Sequence, residues 1–222
     1  MVNNTGCVSF SPLMHLISMK KIITTIALII MCATSYAQEK KLTNNFMMGA
    51  GLFLETGTTA WEQNPGAVVR LSYGLDIPIE GRWSLMPGAG IRMQMSDIAH
   101  IGWIGGDNHC LSYADIFCVA RYHTEDNGQK VIFGIGPQLS IVTLPDTYYI
   151  DADPMDPLNN KETFKRYDIA LQPSVIFLEG KHWQWGFEAS IGLLNAMVQY
   201  PEMHHTGSIH LHNIMIVGGW RF

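Results

Sequence analysis

The feature that most limits what this chain can fold into is alternation. About eight segments, each bounded by turn residues, place apolar side chains on every second position, the signature of strands with one greasy face. Phe46, Met48, Ala50, Leu52 and Leu54 oppose Gly49, Gly51, Phe53 and Glu55, and Val69, Leu71, Tyr73, Leu75 and Ile77 oppose Arg70, Ser72, Gly74 and Asp76. Trp83, Leu85, Ala89, Ile91, Met93 and Met95 oppose Ser84, Gly88, Gly90, Arg92 and Gln94. From Leu111 to Tyr122, Ile116, Cys118, Ala120 and Tyr122 oppose Asp115, Phe117, Val119 and Arg121.

The pattern continues to the C-terminus. Val131, Phe133, Ile135, Leu139 and Ile141 face away from Gly134, Gly136, Gln138 and Ser140, and Ile169, Leu171, Val175 and Phe177 from Asp168, Ala170, Gln172 and Ser174. Trp183, Trp185, Phe187, Ala189, Ile191 and Leu193 oppose Gln184, Gly186, Glu188, Ser190 and Gly192. Ile214, Ile216, Gly218, Trp220 and Phe222 oppose Met215, Val217, Gly219 and Arg221. Ile209 and Leu211 are out of phase with Ile214 and Ile216, which implies a bulge or a strand start near Asn213.

Connections alternate in length. Tight polar turns are expected at Glu80 to Arg82, Glu125 to Gln129 and Glu179 to His182, and longer loops at Thr56 to Pro65, Ser96 to Cys110, Thr143 to Arg166 and Asn195 to Gly207. Short turns at one end and long loops at the other describe an up-and-down barrel of the membrane-spanning kind. A soluble lipocalin-like ligand carrier shares the alternation but turns its polar face to water. Its outer wall would carry many Lys and Glu. Here only 15% of residues are charged, and the polar faces are mostly Gly, Ser, Ala and Gln, which suits a crowded interior. The apolar faces also put Trp83, Trp185, Trp220, Tyr73 and Tyr122 near strand ends, as aromatic girdles require.

The N-terminal region reads as an export signal. Met19-Lys20-Lys21 is a basic start, Ile22 to Met31 an apolar run, and Ser35-Tyr36-Ala37 a small-residue cleavage site. Residues 1–37 are therefore assigned as upstream sequence plus a secretory signal peptide, with Met19 as the true start, and residues 38–222 as the barrel. The apolar run is much shorter than the roughly 20 residues of a spanning helix. Cys32 lacks the small residues expected before a lipid-anchored cysteine. Loss of Lys20 and Lys21 takes the formal charge from −5 to −7, so no basic footprint for nucleic acid remains. Cys110 and Cys118 sit on one extended segment, about 27 Å apart, and cannot bridge within the chain.

The inward positions collect Glu55, Asp76, Asp115, Asp168 and Glu188 with Arg70, Arg92, Arg121 and Arg221. A lumen only wide enough for side chains, and the cost of unpaired buried charge, predict an ion-paired plug. His204, His205, His210 and His212, with His100 and His109, supply imidazoles, but no carboxylate or thiol completes a metal-binding spacing. Asp146, Asp151, Asp153, Asp156, Asn159 and Asn160 offer oxygens in the longest loop, without EF-hand spacing and amid Pro145, Pro154 and Pro157. Ser208 with His210 is the nearest approach to a nucleophile and base, and i,i+2 placement does not make a catalytic contact. No catalytic, cofactor-binding or metal residue is assigned, and no cofactor.

Tyr113-Ala114-Asp115-Ile116-Phe117-Cys118-Val119-Ala120-Arg121-Tyr122, then Gly134-Ile135-Gly136-Pro137 and the terminal Trp220-Arg221-Phe222, resemble the outer-membrane β-barrel (porin-like) domain family over essentially the whole mature chain. That family's middle strand carries an acid, a proline two later and a base six later. Asp115 and Arg121 match, and Phe117 stands where proline is usual. The resemblance implies a Gram-negative outer membrane, lipid and lipopolysaccharide as surroundings, and an assembly machinery that reads the last strand through Phe222. The expected fold is all-β: an eight-stranded antiparallel up-and-down transmembrane β-barrel behind a signal peptide. The expected role is non-enzymatic, structural or surface-binding through the loops, with Tyr148, Tyr149 and Ile150 as contact residues. The alternatives are a small passive pore and a lipid-modifying outer-membrane enzyme.

Overall fold

The computed structural model describes residues 42–58, 65–95, 110–126, 129–144, 164–199 and 207–222. The signal peptide, the central parts of the four long loops, and with them His100, His109, His204, His205, the loop aspartates and Tyr148 to Ile150, lie outside the described residues.

Eight strands form a closed antiparallel barrel in chain order, β1 Thr43–Thr56, β2 Gly66–Pro78, β3 Trp83–Met95, β4 Cys110–Asp126, β5 Gln129–Leu144, β6 Tyr167–Glu179, β7 Trp183–Gly192 and β8 His210–Arg221. Closure comes from β1 pairing with β8 from Asn45↔Arg221 to Thr56↔His210. It extends to the last residue, since Asn44 and Phe222 exchange backbone bonds of 2.8 and 3.1 Å. A closed ladder leaves no edge to pair with another chain.

The faces separate as the alternation requires. Met48, Val69, Ile91, Phe133, Trp185, Phe187 and Ile216 point outward and are exposed, whereas Arg70, Arg92, Asp115, Arg121, Gln138 and Asn213 are buried in the lumen. This is the inverse of a water-soluble carrier, and it is the polarity of a wall facing lipid.

The turn end holds both termini of the barrel and the tight connections. Gly81 and Gly180 adopt φ of 57° and 64° there, left-handed values that L side chains avoid. The aromatic residues gather outside the same end. Trp83 meets Tyr122 at 5.0 Å between centroids, Trp220 meets Trp183 edge-on at 4.7 Å, and His182 stacks on Trp220 at 5.1 Å. All five aromatics expected to form girdles thus fall in the turn half, and Tyr167 is exposed at the loop end.

Two local expectations are corrected. No bulge occurs near Asn213: β8 begins at His210 and pairs in unbroken register with β1 and β7 through that residue. Ile209 and Leu211 look out of phase because they point inward, each 2% exposed, into an apolar patch of the lumen. The turn placed at Glu125 to Gln129 is shorter, because β4 runs to Asp126 and β5 starts at Gln129. The register shift between β4 and β5 falls instead between Ser112 and Tyr113.

Close packing inside the wall leaves no room for a side chain at Gly88, one of several such glycines. Gly88 pairs with Phe117 across β3 and β4, and a Cβ there would come within 2.3 Å of the Phe117 ring and 2.5 Å of the Tyr73 carbonyl. Outward-facing Gly218 has only the Gln184 carbonyl, 4.0 Å away. Gly88→Val is expected to destabilise the refolded barrel by about 1–3 kcal/mol, as overpacking does, while Gly218→Ala stays within about 0.5 kcal/mol, both read from urea unfolding in detergent. The wild type should also migrate faster unboiled than boiled.

Candidate functional site

Every charged inward position of the sequence pattern lies on the luminal face, and most are fully buried. Their chemistry changes along the barrel axis in three tiers.

The middle tier is an ion-pair network. Arg70 and Arg92 occupy directly paired positions on β2 and β3, an arrangement that repels unless something bridges it. Asp115 of β4 is the bridge. Its carboxylate lies 3.1 Å from Arg92 Nε and 3.6 Å from Arg70 Nε. Arg70 also pairs with Glu188 from the far wall. Arg92 donates further to Ser140 Oγ and Gln94 Oε1, both at 2.9 Å, and Gln138 donates to the same Ser140 at 2.9 Å. Asn213, with its amide oxygen turned to Arg92, accepts from that guanidinium as well. The two guanidinium groups lie 4.9 Å from the Phe117 ring centre and 4.6 Å from that of Tyr113, a favourable cation–π placement. Phe117, standing where the resembled family has proline, therefore packs under Arg70 in the space that Gly88 leaves.

The loop-end tier sets an apolar cluster beside the inward acids Glu55 and Asp168. Phe53, Leu111, Tyr113, Ile209 and Leu211 are buried there together with Phe164, Ala196 and Met197 from the bases of the last two long loops. Phe164 and Met197 form an isolated antiparallel bridge. Asn195 ties the base together: its side chain donates to the Gly207 carbonyl at 2.9 Å and accepts from the N–H groups of Met197 at 3.1 Å and Ile209 at 3.0 Å. Lys165 Nζ reaches the Asn195 carbonyl at 2.8 Å. No sequence signal pointed to this cap, because Phe164 and Met197 belong to segments with no periodicity.

The turn-end tier is polar and open. Arg121 Nη1 donates to Asp76 Oδ2 at 3.2 Å, His123 Nε2 lies 3.8 Å from the same oxygen, and Ser84 Oγ bonds His123 Nε2 at 2.7 Å. Serine, imidazole and carboxylate thus meet, but both contacts use one ring nitrogen, whereas a nucleophilic triad needs the acid on the other. His123 had drawn no attention in the sequence, since it lies past the alternating core of its segment. A cavity of about 410 Å3 opens at this end.

Outside the lumen, His210 and His212 share the outward face of β8, and His212 Nε2 bonds Thr56 Oγ1 at 2.8 Å. Among the described residues no three His, Cys, Asp or Glu side chains are grouped to hold a metal ion. Ser208 is engaged by Thr58 through its N–H at 3.0 Å and its Oγ at 3.4 Å. Cys110 and Cys118 are free thiols on β4.

Two substitutions test the middle tier. Asp115→Asn leaves two buried guanidinium groups short of a counter-charge and should cost about 3–5 kcal/mol. Breaking the exposed Lys130–Glu125 contact of 3.7 Å should cost no more than about 1 kcal/mol, a difference visible in the urea midpoints.

By sequence, no family model matches the chain, and no curated protein matches it. By structure it is similar to Ail, the attachment invasion locus protein of Yersinia pestis, solved in complex with the heparin analogue sucrose octasulfate. That likeness has 7% identity and a TM-score of 0.51, and covers 82% of this chain and 99% of that one. Neisserial surface protein A is similar over 82% of this chain and 97% of its own, with 9% identity and a TM-score of 0.49. The likeness to Ail shows the fold: this chain has the eight-stranded barrel architecture of small outer-membrane proteins.

Proposed function

We propose that the chain resides in the outer membrane of a Gram-negative bacterium as a plugged barrel, and that it works as a structural or surface-binding protein through its long loops. What supports the reading is an exposed apolar wall around a lumen that holds the buried Arg70–Asp115–Arg92 network and, at the bases of the last two long loops, the bridged pair Phe164 and Met197. A wall of Ile, Phe, Met and Trp is tolerable only against lipid. With the turns on the periplasmic side, the four long loops face outward, where lipopolysaccharide and external ligands are met.

The passive pore is the lesser reading, because the ion pairs buried in mid-barrel occupy the path that it would need. The lipid-modifying enzyme is the lesser reading, because the i,i+2 placement of Ser208 and His210 does not make a catalytic contact. The sulfated ligand of Ail is not carried over, since the longest loop here offers Asp146, Asp151, Asp153 and Asp156, which repel a polyanion. Phe222, held in the ladder by Asn44, fits a last strand that the assembly machinery delivers to β1 for closure.

Two measurements test the reading. Planar bilayers containing the refolded protein should stay electrically silent, and step-like conductance would return the pore to first place. An epitope inserted between Asn159 and Asn160 should be reached by antibody on intact cells, and labelling only after permeabilisation would overturn the assigned orientation.

A further inference from the structure

The three tiers give the lumen a direction. Among the described residues it is packed in the middle by the Arg70–Asp115–Arg92 network and open at the turn end, where a cavity of about 410 Å3 forms a cup. Its volume lies in the range of small-molecule sites.

The walls of the cup are chemically uneven. Asp76 and Arg221 both line it. They flank β1 on opposite sides, Asp76 paired with Thr43 and Arg221 with Asn45, so their backbones stand two strand spacings apart with a two-residue offset, about 12 Å. Asp76 is 3% exposed, and while its Oδ2 accepts from Arg121, its Oδ1 has no partner. Arg221 Nε likewise has no partner. One atom can only accept and the other can only donate, and burying either unmatched is costly. Round the rest of the rim stand Ser84 and His123, which donate or accept, and Ile132 and Leu178, which supply an apolar stretch of wall.

We propose that this cup is a binding site for a small zwitterion of the amino-acid or short-peptide class, its ammonium held by Asp76 and its carboxylate by Arg221. A purely anionic ligand would leave Asp76 Oδ1 unmatched and repelled, and a purely cationic one would do the same to Arg221. Among charged ligands, a molecule carrying both charges matches both atoms. The gap between the two side chains suits a ligand whose charges are a few ångströms apart, with a short aliphatic stem against Ile132 and Leu178. The site opens on the turn end, and therefore on the compartment that holds the turns.

The test uses the full mature chain refolded in detergent micelles and glycylglycine as the probe, followed by NMR of the His123 ring and the Trp83 indole. The expected result is a saturable shift of both, weakened at least tenfold by Asp76→Asn and by Arg221→Gln. N-acetylglycylglycine, which has no ammonium, should bind at least tenfold more weakly, with no further loss in Asp76→Asn. Glycylglycinamide, which has no carboxylate, should bind equally weakly, with no further loss in Arg221→Gln. Should Asp76→Asn fail to give the heat-dependent gel shift of a folded barrel, Arg221→Gln, which leaves the Arg121–Asp76 pair intact, decides the matter with the amide probe. Absence of saturation up to about 10 mM, where binding is too weak for a specific site, would overturn the proposal and leave a hydrated mouth that holds water only. Equal binding of the three probes, or binding indifferent to both variants, would overturn it as well.

Discussion

Everything in this structure depends on backbone hydrogen bonding where no water can help. A strand in hydrocarbon must find partners for all its N–H and C=O groups within the protein, and a sheet achieves that only by closing on itself. Here closure is the β1–β8 seam, running from the Asn44–Phe222 exchange at one end to Thr56↔His210 at the other. Once the seam exists, each strand has one face inside and one outside, and the alternation of the sequence becomes a partition between lumen and lipid.

Eight strands enclose a space that side chains must fill, and this barrel fills it unevenly. In mid-barrel, Arg70 and Arg92 are forced side by side by the β2–β3 register, so Asp115 and Glu188 are needed to hold them. The middle therefore contributes specificity of register at a cost in desolvation. Toward the loops an apolar cluster meets the loop bases that Asn195 ties together. Toward the turns it stays polar, with Asp76, Arg121, His123 and Ser84 in contact. A column with one dry end and one wet end is a cup, and its chemistry belongs to the side on which it opens.

The residue pattern misled where inward apolar residues followed outward ones. Ile209 and Leu211 suggested a bulge or a strand start near Asn213, whereas they point inward into an apolar cluster and the ladder from His210 through Asn213 is unbroken. The tight turn expected over Glu125 to Gln129 is narrower than its polar residues suggest, because β4 runs to Asp126 and β5 starts at Gln129. The cap of Phe164 and Met197 was invisible, since a bridge between two aperiodic segments leaves no local trace.

The sequence by itself determined the strands, the face each side chain takes, the antiparallel order and the inward set of charges, because period two and alternating connection lengths are local properties that lipid and turn geometry read directly. Tertiary structure alone decided which charges meet: that Asp115 bridges two arginines, that Asp76 gathers Arg121 and His123, that Phe117 fits beneath Arg70 because Gly88 leaves room. Those contacts depend on the register of each strand pair and on the curvature that brings opposite walls together, and neither quantity is written in any single segment of the chain.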